Sequence, residues 1–181
     1  MTTTARTATA ATGTASAHTI VDSPLGPLTL VTREGGLAGL YMTQQRHLPP
    51  QETFGPQVAV TDIPVLARTA EQMTAYFAGD ITDFDIDLST SGTPFQRRVW
   101  AALCDIPYGE TVSYGELAAA LGRPTASRAV GLANGKNPIS IVVPCHRVVG
   151  ADGSMTGYGG GLERKRWLLS FESRAQQPFL T

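Results

Sequence analysis

Cys145 is followed directly by His146 and Arg147, so one short stretch carries a nucleophile, a base and a permanent cation. A thiol attacks as its thiolate, and a neighbouring imidazole and guanidinium are expected to favour that ion electrostatically. The spacing sets a condition. Adjacent residues of a regular strand face opposite ways, so His146 can serve Cys145 only if the chain turns there or a water bridges the two. A cysteine in an apolar run is ordinarily a core residue. Cys104, at the end of the apolar run Val99 to Leu103 and without such neighbours, is read that way. Two cysteines are too few for a disulfide framework, and no Cys and His set has zinc-ligand spacing, so no metal and a reducing compartment are expected.

The elements that must position these groups are legible around them. After Asn137-Pro138, the run Ile139 to Val143 predicts a buried strand that Pro144 stops. Ser113 with Glu116 three residues on forms a capping box. Gly122-Arg123-Pro124 breaks that helix, and a second opens at Thr125 with Ser127 and Arg128 exposed near its start, which is helix-turn-helix spacing. On its own such a pair is more often ordinary packing than a DNA reader. Further helices are predicted over Phe95 to Leu103, capped by Thr93, and over Leu162 to Glu172; Trp100 and Trp167 are assigned to the core. Before them, strands at Thr19 to Val21, Leu28 to Val31 and Leu37 to Met42 read as an antiparallel meander. Val65 to Phe77 places Leu66, Ala70, Met73 and Phe77 on one helical face, Gly79 ends that helix, and Asp80 to Leu88 alternates as one more half-buried strand.

The division that follows is a Thr- and Ala-rich tail over 1–17, expected to be disordered, an N-terminal α/β unit over 18–90, a mainly helical unit over 91–173 and a flexible tail over 174–181. A transit peptide is the rival reading of the first segment, and its single Arg argues against it. The net charge of −1 conceals an asymmetry: four Arg against nine acids in residues 1–90, ten Arg and Lys against six acids in residues 91–181. Contact with phosphate belongs to the second half. No apolar run is long enough to span a bilayer, so no membrane is expected; the compartment is read as cytoplasm, or the nucleus in a eukaryote.

Pro144-Cys145-His146-Arg147-Val148-Val149 resembles the active-site signature of the methylated-DNA-protein-cysteine methyltransferases, the O6-alkylguanine-DNA alkyltransferases. The resemblance continues through Thr93-Pro94-Phe95-Gln96, Pro107 to Tyr114, Ser127 to Gly131, Asn137-Pro138, Tyr158 to Leu162 and Trp167 to Glu172, covering essentially residues 90–173. It implies an α+β fold, with a ribonuclease H-like antiparallel-sheet domain followed by a helical domain carrying a winged-helix-like helix-turn-helix. It also implies direct-reversal repair, in which an alkyl group, mainly methyl, passes irreversibly from O6-alkylguanine (and O4-alkylthymine) to Cys145 with no cofactor. By resemblance His146 is the base, acting through a water, Glu172 orients it and Tyr114 protonates the leaving base. Ser127, Arg128, Ala126, Ala129 and Gly131 meet the DNA minor groove, with Arg128 filling the gap left by a flipped nucleotide. Tyr158, Gly159, Val148, Ser140 and Thr156 line the substrate pocket, with the backbone N–H near Gly159 supporting the lesion oxygen, and Asn137 braces the turn beneath it. The partner is duplex DNA and the protein is expected as a monomer, cooperative binding along DNA being left open.

Departures from the family pattern bear on the pocket. Gly159 stands where many relatives carry a hydroxyl, Ser140 where some have proline, and Thr156 adds a branched side chain to the loop Gly150 to Gly157, together predicting a preference for methyl over bulky aromatic groups. Two other classes compete: a non-catalytic lesion sensor or regulator, which has no use for Cys145, and a cysteine hydrolase, which needs an oxyanion hole and turns over repeatedly.

Overall fold

Three strands, β1 (Ala17–Val21), β2 (Leu28–Arg33) and β3 (Gly36–Met42), form an antiparallel meander in the order β1-β2-β3. The β2–β3 turn places Glu34 and Gly35 at φ 52° and 79°, the doubly left-handed conformation that two-residue hairpins require. The computed structural model describes residues 15–175; residues 1–14 and 176–181, on which the two tail expectations chiefly fall, lie outside the described residues.

Helix α1 (Pro64–Ala78) packs on the sheet and ends at Gly79, whose φ of 82° is the left-handed cap that glycine adopts without penalty. Its buried face is Leu66, Thr69, Met73 and Tyr76, rotated from the predicted Leu66, Ala70, Met73 and Phe77. The rotation is possible because Thr69 donates its hydroxyl to the Val65 carbonyl (2.7 Å) and Tyr76 finds a carboxylate partner, so neither polar atom is buried unpaired.

The expected strand over Asp80 to Leu88 does not form a ladder. The alternation holds, with Phe84 and Ile86 buried and Asp83, Asp85 and Asp87 exposed, but only Leu88 bridges to Leu37. Gln72 of α1 takes the place of a neighbouring strand: its side chain donates to the Asp85 carbonyl (2.9 Å) and accepts from the Asp85 N–H (2.8 Å).

The second half is built from α2 (Pro94–Cys104), β4 (Val112–Ser113), α3 (Tyr114–Ala120), α4 (Ser127–Gly135), β5 (Val148–Val149) and α5 (Leu162–Ala175). Thr93 and Ser113 each close a capping box, with Gln96 and Glu116 respectively. Helix α4 opens at Ser127, two residues later than predicted: Ala126 is its N-cap, and the Ala126 N–H turns back to the Arg123 carbonyl (2.8 Å), closing a separate turn before the helix. Trp100 is core, its indole N–H donating to the Ala133 carbonyl (2.9 Å) and joining α2 to α4. Trp167 is not: it is 37% exposed and stacks on Phe171 at the surface. One apolar core runs without a break from the sheet through α1 to α2, α4 and α5. Among the described residues no helix is long and apolar enough to cross a membrane.

Candidate active site

The predicted strand over Ile139 to Val143 is a turn, and that difference creates the site. Ile139 bridges to Leu40 at one point only. Asn137 then gathers the turn on one side chain, accepting from the Ile139 N–H (3.0 Å) and donating to the carbonyls of Val143 (2.8 Å) and Ile139 (3.4 Å). Within it Ile141 is held at φ 71°, a conformation that branched residues adopt only when the surroundings impose it. Pro144 leads into a single 3-10 turn, Cys145–Arg147. Cys145 and His146 therefore sit on a tight turn, which meets the condition that their adjacency imposed.

His146 is fully buried, and its Nε2 lies 2.9 Å from Glu172 Oε1. A carboxylate only accepts, so Nε2 carries the hydrogen and Nδ1 presents a lone pair; Nδ1 is buried and has no protein partner. Burial pushes the His146 pKa below its usual value despite the pull of Glu172, so the resting imidazole is neutral. Glu172, brought in by α5, also accepts from Arg147 Nε and Nη2 (2.9 Å each), from the Tyr76 hydroxyl (2.7 Å) and from the Gly109 N–H (3.3 Å). Burial alone would raise its pKa, but the hydrogen bonds and charges of His146 and Arg147 hold the carboxyl well below the usual carboxylate range.

Arg147 does not act on the thiol as expected. Its guanidinium turns away to Glu172 and the Ile106 carbonyl (2.6 Å) and lies over the Tyr108 ring. Cys145, 4% exposed, has its thiol pushed up by burial, against the opposing influence of Asn137 and Lys165. The resting nucleophile is thus a protonated thiol.

Tyr114 opens α3, where the Ser113 cap and the parallel pairing of β4 with β5 set it opposite the Cys145 turn. Its hydroxyl donates to the Thr156 carbonyl (3.0 Å). Lys165 is buried, with Nζ donating to the carbonyls of Val148 and Thr156, so it pins the loop after Cys145 to α5; burial pushes its pKa down to about 8. Asn134 donates its amide to the Cys145 carbonyl (3.3 Å), tying α4 to the nucleophile's backbone. Sequence reasoning assigned no role to Tyr76, Asn134 or Lys165; Lys165 stands in the charged run Glu163 to Arg166, where nothing in the sequence marks it as buried.

Beside the turn opens a cleft of about 600 Å³ between α4 and the Gly157–Gly161 loop, lined by Arg46, Gly131, Gly135, Tyr158 and Gly159 among others. Of the residues expected in the pocket, Tyr158 and Gly159 line this cleft, whereas Val148 and Ser140, both buried, and the exposed Thr156 do not, nor does Cys145. Gly159 donates no side chain, but its carbonyl accepts from the Arg46 N–H (2.7 Å), so the N-terminal unit braces this loop. Ser127, Arg128 and Ala129 lie exposed along the start of α4, with Ala126 just before it. Gly131 is half-buried on the wall of the cleft, where a Cβ would stand 3.6 Å from the Tyr114 ring. No group of His, Cys, Asp and Glu that could hold a metal occurs among the described residues.

Comparison with known proteins agrees with this geometry. Residues 17–90 match the family model described as the ribonuclease-like domain of 6-O-methylguanine DNA methyltransferase, and residues 94–174 match its DNA-binding domain. A methylated-DNA-protein-cysteine methyltransferase of Mycolicibacterium paratuberculosis is 55% identical over 162 residues, covering 89% of this chain and 94% of the relative. One from Methanosarcina barkeri is 44% identical over 155 residues, covering 86% and 96%. The structure of the Mycobacterium tuberculosis O6-methylguanine methyltransferase superposes with a TM-score of 0.80 at 50% identity, over 91% of this chain and 97% of that one. The M. tuberculosis protein in complex with DNA gives 0.78 at 49% identity, over 88% and 94%. The chain belongs to the methylated-DNA-protein-cysteine methyltransferase family.

Proposed function

We propose that this protein repairs O6-alkylguanine in duplex DNA by direct reversal, taking the alkyl group onto Cys145 once per molecule. The observation that carries the reading is the turn itself: it sets a buried thiol beside an imidazole whose tautomer is fixed by an ionised Glu172. Helix α4 enters the minor groove with Ser127, Arg128 and Ala129 on its outer side, and Arg128 fills the space left when the damaged nucleotide swings out. The base enters the cleft beside Tyr158 and Gly159. His146 Nδ1 then takes the Cys145 proton through a water, and the thiolate attacks the sp³ carbon of the lesion. The C–S bond forms as the C–O bond breaks, and the electron pair leaves on guanine. Tyr114 delivers a proton to the base, so that the thiol's proton passes, in sum, to the released guanine. The thioether product has no nearby group able to remove the alkyl, so one molecule reacts once, as a monomer, and no methyl donor or metal takes part. O4-alkylthymine is a second substrate of the same chemistry.

Mass spectrometry after incubation with excess O6-methylguanine duplex tests this. One added methyl on the Cys145 peptide, absent from Cys145→Ser, supports it; unchanged mass in the wild type favours a lesion sensor, and multiple turnover favours a hydrolase. For lesion size, the departures from the family pattern at Ser140, Thr156 and Gly159 predict faster inactivation by methylated than by benzylated guanine, and equal rates would remove that preference.

A further inference from the structure

Glu172 is met from the N-terminal unit as well as from its own. Tyr76, on α1, is fully buried and donates its hydroxyl at 2.7 Å to Oε1, the same oxygen that accepts from His146 Nε2. The two residues are 96 positions apart, and the ring is fixed by Phe77, Phe84, Tyr108 and Phe171 packed around it. A tyrosine buried among aromatics packs as well without its oxygen, so the hydroxyl is the informative group.

We propose that Tyr76 is a positioning residue of the alkyl-transfer reaction, through which the N-terminal domain holds Glu172 in place and takes up part of the charge that the carboxylate would otherwise direct at His146. The proposal rests on the Cys145-His146-Glu172 relay described above. Oε1 also accepts from Arg147 Nη2, and an oxygen shared among three donors pulls less on each than one shared between two. Removing the hydroxyl leaves Oε1 to His146 and Arg147, strengthens its hold on the imidazole N–H and makes His146 easier to protonate. The other groups that act on this pair are Arg147 and Lys165, whose charges disfavour the imidazolium, together with Tyr108, Tyr158 and Cys145. None of them changes in Tyr76→Phe.

The test is the pH dependence of methyl transfer to wild-type protein and to Tyr76→Phe, measured in single turnover on an O6-methylguanine duplex, with melting temperatures alongside. The acid limb should move to higher pH by roughly half a unit to one unit, the effect of one neutral hydrogen bond, making Tyr76→Phe about three- to tenfold slower on that limb. A wild-type pH profile in Tyr76→Phe, whether or not its melting temperature falls, overturns the proposal, since a packing role moves stability alone. Adding Tyr76→Phe to Glu172→Gln should leave the profile of Glu172→Gln unchanged; a further shift also overturns it. Should Tyr76→Phe not fold, the wild-type protein still decides: a slowly exchanging downfield hydroxyl proton assigned to Tyr76 by NMR should move upfield in Glu172→Gln, and an unmoved resonance counts against the bond. If Glu172→Gln itself reacts like wild type, it is the relay that fails, an outcome distinct from failure of Tyr76 within a working relay.

Discussion

Glu172 keeps its charge without water because Tyr76, His146, Arg147 and the Gly109 N–H together occupy its lone pairs. Glu172→Gln leaves Arg147 buried without its counter-charge and His146 without its orienting partner. Methyl transfer should fall roughly 100-fold, within the range for general acid–base groups, in single-turnover assays. Gly159→Ser should have the opposite effect. A Cβ there stands 3.6 Å from the Arg46 carbonyl oxygen and 3.8 Å from that of Gly135, ordinary contact distances, so a serine side chain has room, and in the proposed binding mode its hydroxyl would donate to the lesion oxygen. Transfer should rise about three- to tenfold, as one hydrogen bond would give; an unchanged rate would mean the hydroxyl does not reach the substrate. The pairing of His146 with Glu172 was legible through resemblance, because the motifs that carry it are short and ordered along the chain. The true partner of Arg147 was not, since Cys145 stands only two residues before it in sequence while its partner in space lies 25 residues on.

Helices were easier to read than the segments between them. Capping residues announce their own positions, and Thr93 and Ser113 start their helices where the sequence places them. The two misread strands, Asp80 to Leu88 and Ile139 to Val143, have strand-like apolar patterns, but their backbone groups are satisfied by the side chains of Gln72 and Asn137. An amide side chain replacing a neighbouring strand leaves no trace in periodicity. Two substitutions test the elements. Asn137→Ala removes hydrogen bonds to three buried backbone groups and should cost about 3 kcal/mol, seen in denaturant unfolding, while also slowing transfer by loosening the Cys145 turn. Ser113→Ala removes one cap from α3 and should cost about 1 kcal/mol; a loss in Asn137→Ala no larger than that would show that the turn does not depend on its asparagine.

Across the whole molecule the two units share one core, and polar contacts cross between them at Tyr76 with Glu172 and at Arg46 with Gly159. This dependence extends to pH. The pKa values of Glu172 and His146 are both lower in the fold than in the free side chains, whose values are 4.5 and 6.5. The unfolded chain therefore binds more protons as pH falls, and stability is lost on acidification, through His146 below about pH 6.5 and further through Glu172 below about pH 4.5. Melting temperatures measured from pH 8 to pH 4 should fall in that order, and His146→Phe should flatten the upper step. The charge asymmetry of the halves was legible from composition, but Arg147 and Lys165 turn out to be interior cations, so the surface available to phosphate is less basic than the count suggests. Salt should weaken DNA binding accordingly less. The low exposure of Cys145 has one more effect. Cells contain many small reactive electrophiles, and any of them that found this sulfur would leave the molecule inert before it met a lesion. Protonated and only slightly exposed, Cys145 should react with such electrophiles more slowly than an exposed thiolate would.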